Sequence, residues 1–143
     1  MRTMLRTAVV LSVLVAGLTV CHRPVLAADA PSADKIFEQR IYITNPGKLA
    51  ALHARFRDHT CQLFKKHGIE LLGFWTPTDG EEAQNTLIYL VAFPNVEAQK
   101  KAWKAFLDDP EWKKAKAASE KDGVLVKEVR SKNLKATDYS AIR

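Results

Sequence analysis

The chain has 143 residues, of which 47% are hydrophobic and 27% charged, with six Gly and six Pro. These values fit one folded domain and exclude a multidomain enzyme, a long repeat array, a disordered chain and a collagen-like one. The formal charge of +6 would point to nucleic acid only if the basic residues belonged to the folded part.

They partly do not. Arg2 and Arg6 flank the start, and Thr7 to Cys21 then runs without a charge, rich in Val, Leu and Ala. A basic stretch followed by a short apolar one is the pattern of an export signal, and the run falls short of the roughly 20 residues that cross a bilayer. Cleavage is expected after Ala27, with Ala30 as a nearby alternative, so residues 1–27 are the predicted signal peptide. Val20 before Cys21 disfavours lipid attachment there, since that site normally holds a small residue. Cleavage removes Arg2, Arg6 and Arg23 and no acid, which halves the positive excess and with it the case for nucleic acid. The predicted location is periplasmic or secreted, with no membrane attachment after cleavage. Cys61 is then the one cysteine left, so no intramolecular disulfide is expected.

Residues 28–34 (ADAPSAD) read as a flexible lead-in to a domain at 35–143. From Ile36 to Thr44, Phe37, Ile41 and Ile43 alternate with Glu38, Arg40 and Tyr42, which predicts a strand. Asn45 and Pro46 predict a helix start, and Leu49, Leu52, Phe56, Leu63 and Phe64 carry its apolar face to His67, with Gly68 as the stop. Residues 69–75 and 86–93 read as a hairpin around a long loop with Pro, Asp and Gly. Asn95 caps a second helix bearing Val96, Trp103, Phe106 and Leu107 on one side. Asp109 and Pro110 restart a shorter helix that ends near Gly123, and residues 124–134 form a last strand.

The order strand, helix, strand, strand, helix, strand is that of an α+β, ferredoxin-like antiparallel sheet with helices on one face. Both sides of the hairpin are apolar: Ile69, Leu71 and Trp75 against Leu72 and Phe74, then Leu87, Tyr89, Val91 and Phe93 against Ile88, Leu90 and Ala92. Two helices cover one face, so the other predicts a second copy packed sheet to sheet, a homodimer.

The stretches FEQRIYITNPGKL (37–49), ARFRDHTCQLFKKHGIELLGFWTPTD (54–79), NTLIYLVAFPN (85–95) and AFLDDPEWKKAKAASEKDG (105–123) resemble the NIPSNAP family of the dimeric α/β-barrel superfamily. The resemblance implies the same dimeric α/β barrel. It supplies no reaction, because the wider superfamily spans cofactor-independent monooxygenases and haem-dependent enzymes.

His53, His59 and His67 fall on one helix, and a uniform step of about 100° per residue turns all three toward the sheet. There His59 is a candidate general base, with His67 beside it as a ligand contact. His59 and His67 lie about 12 Å apart along the axis, too far to share one ion, so no metal is expected; a haem could take a single axial His, but nothing else in the chain signals haem, so no cofactor is expected. Glu38, Arg40 and Tyr42 form either a buried ion-pair network or an anchor in which Arg40 holds an anionic or carbonyl-bearing ligand and Tyr42 donates to it. Trp75, Tyr89 and Trp103 complete the candidate ligand-binding set as aromatic walls. Three functions follow: an exported homodimer binding a small apolar or aromatic molecule; a cofactor-independent monooxygenase on a phenolic or polycyclic substrate, with His59 as base; and an interaction module without a ligand.

Overall fold

The computed structural model describes residues 35–143; the expected export signal and lead-in lie outside the described residues. Strand β1 (Ile36–Thr44) is followed by α1 (Leu49–Arg55), a π-helical segment (Phe56–Thr60) and α2 (Cys61–Lys66), which run on as one unbroken helix. Then come β2 (Glu70–Trp75), a 3-10 turn (Glu81–Gln84), β3 (Thr86–Phe93), α3 (Val96–Asp108), α4 (Pro110–Ser119) and β4 (Val126–Leu134). All neighbouring strands are antiparallel in the order β2-β3-β1-β4, which is the ferredoxin-like arrangement expected. No helix among the described residues is long and apolar enough to cross a membrane.

Local chemistry accounts for most boundaries. Asn95 Oδ1 accepts from Ala98 N at 2.8 Å and Asp109 Oδ1 from Glu111 N at 2.7 Å, so both predicted caps satisfy helix-end N–H groups. At the first helix the expectation of a start at Asn45 and Pro46 is corrected. Gly47 takes a positive φ of 73° and turns the chain first, while Asn45 Nδ2 donates to Val124 O at 2.8 Å, tying the turn to the approach to β4.

Two irregularities change which way side chains face. Cys61 N–H donates to Phe56 O, five residues back, so the π segment adds a residue without adding a turn and shifts the phase of everything after it. In β2 the register slips between Leu71 and Gly73, so that Leu71 pairs with Val91 and Phe74 with Tyr89. Strict alternation puts Phe74 with Leu72 and Trp75 with Leu71; the slip instead brings Leu71 and Phe74 together against the core and turns Trp75, 54% exposed, outward. A Cβ on Gly73 would lie 2.4 Å from the Trp75 indole, so the ring rests where only glycine leaves room.

The core lies between the sheet and the helices: Leu52, Phe56, Leu63 and Phe64 from the first helix, Leu87, Tyr89, Val91 and Phe93 from β3, and Ala102 and Phe106 from α3. The opposite face of the sheet carries Ile41, Ile43, Ile88 and Leu90, all partly buried. The tail after β4 folds back over one corner of it, where Phe37 and Leu90 meet Ala141 and Ile142 around a cavity of about 420 Å³.

Candidate functional site

Alternation along β1 sends Glu38, Arg40 and Tyr42 toward the helix layer, where a lone charge would be costly. Glu38, 4% exposed, is fully engaged. Its Oε1 accepts from Arg40 Nη1 at 2.8 Å, and its Oε2 accepts from Gln99 Nε2 at 2.7 Å and Trp103 Nε1 at 2.6 Å. Gln99 and Trp103 stand one turn apart on α3, so the cap at Asn95 sets both donors at once. The Gln99 amide is held in turn by Asn133 of β4, donating at 2.8 Å and accepting at 3.1 Å.

The Arg40 guanidinium sits 4.5 Å from the Trp103 ring centre and 5.6 Å from that of Tyr42, within cation-π range of both. Burial works against its charge, but the oxygens of Tyr42, Tyr89 and Glu38 outweigh that and raise its pKa above that of free arginine. Tyr89 lies directly across the ladder from Arg40. Burial, with Tyr42 beside it, pushes the Tyr89 hydroxyl well above the ordinary tyrosine range, so it stays a neutral O–H. Two buried groups here, Arg40 Nε and Tyr89 Oη, have no hydrogen-bond partner among the described residues. Over β4 this face is open: Val129, opposite Tyr42, and Ser131, opposite Arg40, are both exposed.

The structure thus brings four of the predicted residues together, Arg40, Tyr42, Tyr89 and Trp103, and leaves three elsewhere. His59 is exposed and faces α4, lining a groove of about 440 Å³ with Asp58, Leu63, Lys66 and Glu111. The expectation that it faces the sheet is corrected by the π segment. Buried Arg55 instead turns inward toward α4, pairing with Glu120 at 3.0 Å with the Trp112 ring 5.2 Å away. Trp75 is at the sheet edge, for the reason given above, where it lines a cleft of about 260 Å³ with His53 and Cys61.

His67 has a structural partner. Its Nε2 donates to Asp109 Oδ2 at 2.6 Å, fastening the end of the first helix to the start of α4, with Lys66 Nζ 3.0 Å from the same oxygen. His67 and then Lys66 hold the Asp109 carboxyl well below the usual carboxylate range. A folded-state pKa below the unfolded one stabilises at higher pH, so the contribution is present above about pH 4 and is lost as pH falls further. Urea unfolding across an acid series is expected to show this fall in the native protein and a flatter profile in Asp109→Asn; identical profiles would refute the assignment.

No group of three or more His, Cys, Asp or Glu among the described residues could hold a metal ion. Gln99 and Asn133 were not visible as site residues in the sequence. The one signal for Gln99 is an amide on the apolar side of α3, four residues before Trp103.

The NIPSNAP family model matches residues 37–141. No curated protein matches the sequence significantly. A NIPSNAP family protein from Agrobacterium tumefaciens is 21% identical, with a TM-score of 0.67 over 78% of this chain and 96% of that one. A NIPSNAP-like domain protein from Burkholderia xenovorans is 19% identical, with a TM-score of 0.65 over 76% and 90%. SnoaB, a cofactor-independent oxygenase from Streptomyces nogalater, is 13% identical, with a TM-score of 0.50 over 73% and 95%, a likeness of fold alone.

Proposed function

The chain belongs to the NIPSNAP family, and from that premise we propose that it is an exported, homodimeric protein that binds a small aromatic molecule against Arg40, Tyr42, Tyr89 and Trp103. The observation that carries this reading is the pair of unpartnered buried donors, Arg40 Nε and Tyr89 Oη, beside a guanidinium stacked on Trp103 and next to an open face over β4. Native proteins rarely leave such groups unsatisfied, and a few polar groups among aromatic walls are what small-molecule sites use. The dimer rests on the apolar outer face at Ile41, Ile43, Ile88 and Leu90, which a two-fold partner would cover.

Native mass spectrometry of the protein purified from its own cell envelope tests all parts together. The expected result is a cleaved dimer with a retained ligand that is absent from Arg40→Gln. A ligand-free monomer still carrying residues 1–27 would sink the proposal. Catalysis by His59 has no support in this geometry, since its imidazole faces α4 rather than the Arg40 cluster.

A further inference from the structure

The balance of charges and donors around Arg40 goes further than the presence of a site. Glu38 neutralises Arg40 through a 2.8 Å ion pair, and both partners are largely removed from water, with side-chain exposures of 5% and 19%. The carboxylate and amide oxygens of the cluster are also occupied. Glu38 takes three donors, and the Gln99 and Asn133 amides satisfy each other. What is left over is Arg40 Nε, which can only donate, and the Tyr89 hydroxyl, on residues paired across the β1–β3 ladder. Burial, with the Tyr42 hydroxyl beside it, keeps the Tyr89 hydroxyl protonated, so it can donate to a ligand oxygen.

A ligand must complement that remainder. A carboxylate would satisfy the donors but would bring an uncompensated negative charge next to Glu38 in a desolvated place, where like charges repel strongly. A neutral carbonyl oxygen accepts from the same donors and leaves the pair intact. Its flat conjugated body can stack on the planar Arg40 guanidinium, which itself lies over Trp103 and Tyr42, and the open side over Val129 and Ser131 gives it a way in.

Resting on the binding reading above, we propose that the ligand of this site is a neutral planar aromatic carbonyl compound, its carbonyl oxygen accepting from Arg40 and Tyr89, and that Glu38 is the specificity residue that rejects anions. Glu38→Gln keeps the size of the side chain and an oxygen for Gln99 and Trp103, but it removes the negative charge and replaces the acceptor facing Arg40 Nη1 with an amide NH2. The cluster then carries the bare Arg40 cation, and an anion becomes the better guest.

Two probes on one ring system decide this: 2-acetonaphthone and 2-naphthoate, titrated calorimetrically into the full-length mature protein. The native protein is expected to bind the ketone at least about tenfold more tightly, the ratio set by one charged hydrogen-bond interaction. Glu38→Gln, checked for native circular dichroism, is expected to reverse the order. A native protein that prefers the carboxylate, or a Glu38→Gln variant that still prefers the ketone, overturns the anion-rejection inference while leaving the binding site in place. A native protein that binds neither probe, while native mass spectrometry shows another retained ligand, overturns the ligand class. Absence of any ligand in both experiments removes the site itself.

Discussion

Arg40→Met is expected to lower the free energy of unfolding by about 3–5 kcal/mol, the usual cost of removing one partner of a buried ion pair. The pair itself is not the source of so large a number, because desolvation consumes much of its Coulomb attraction. The loss arises from what stays behind: a Glu38 carboxylate, 4% exposed, facing Gln99 and Trp103 with no cation nearby. Glu38→Gln added to Arg40→Met should therefore recover most of the loss, although it deletes a second charged group. Urea unfolding of the two single variants and the double variant gives the coupling directly. If the losses simply add, Glu38 and Arg40 are not the electrostatic unit described here, and the neutral-ligand argument loses its foundation.

Phe64→Ala should cost a similar amount, about 3–5 kcal/mol, by a different mechanism. Phe64 is 1% exposed and meets Phe106 at 4.8 Å, Trp103 at 5.3 Å, Tyr89 at 6.0 Å and Phe56 at 6.1 Å between ring centres. These rings come from the first helix, β3 and α3, so no single element can move in to fill the space. The edge-to-face geometry toward Phe56, Trp103 and Phe106 is lost as well. Leu107→Ala, at a side chain 56% exposed on the same α3 helix, is the control and should stay within about 0.5 kcal/mol. A loss at Phe64 no larger than at Leu107 would mean that the aromatic centre is not close-packed. Because Tyr89 and Trp103 lean on Phe64, the variant should also weaken ligand retention in proportion to its loss of order.

How far the site could be read in advance follows from the range of each signal. The alternation in β1 places Glu38, Arg40 and Tyr42 on one face whatever the rest of the chain does. Aromatic residues at Tyr89 and Trp103 were visible as candidates because their type is informative wherever they sit. The histidines misled for a local reason. One extra residue in the π segment redirects His59 from the sheet to α4, and no composition or spacing in FRDHT distinguishes that segment from ordinary helix. Trp75 misled because the register slip beside Gly73 reverses which side the ring takes.

Element order, the caps at Asn95 and Asp109 and the two apolar sides of the hairpin strands were legible in the sequence alone, since each depends on residues within a turn or a strand of one another, and the order of elements then implied the ferredoxin-like plan. Which donors meet Glu38 was decided only by tertiary structure. Gln99 and Trp103 lie 61 and 65 residues away in the chain and reach the carboxylate because α3 packs across β1. Periodicity records which face a residue occupies but not which residue stands opposite it, and at this site the partner, rather than the face, sets the charge a ligand encounters.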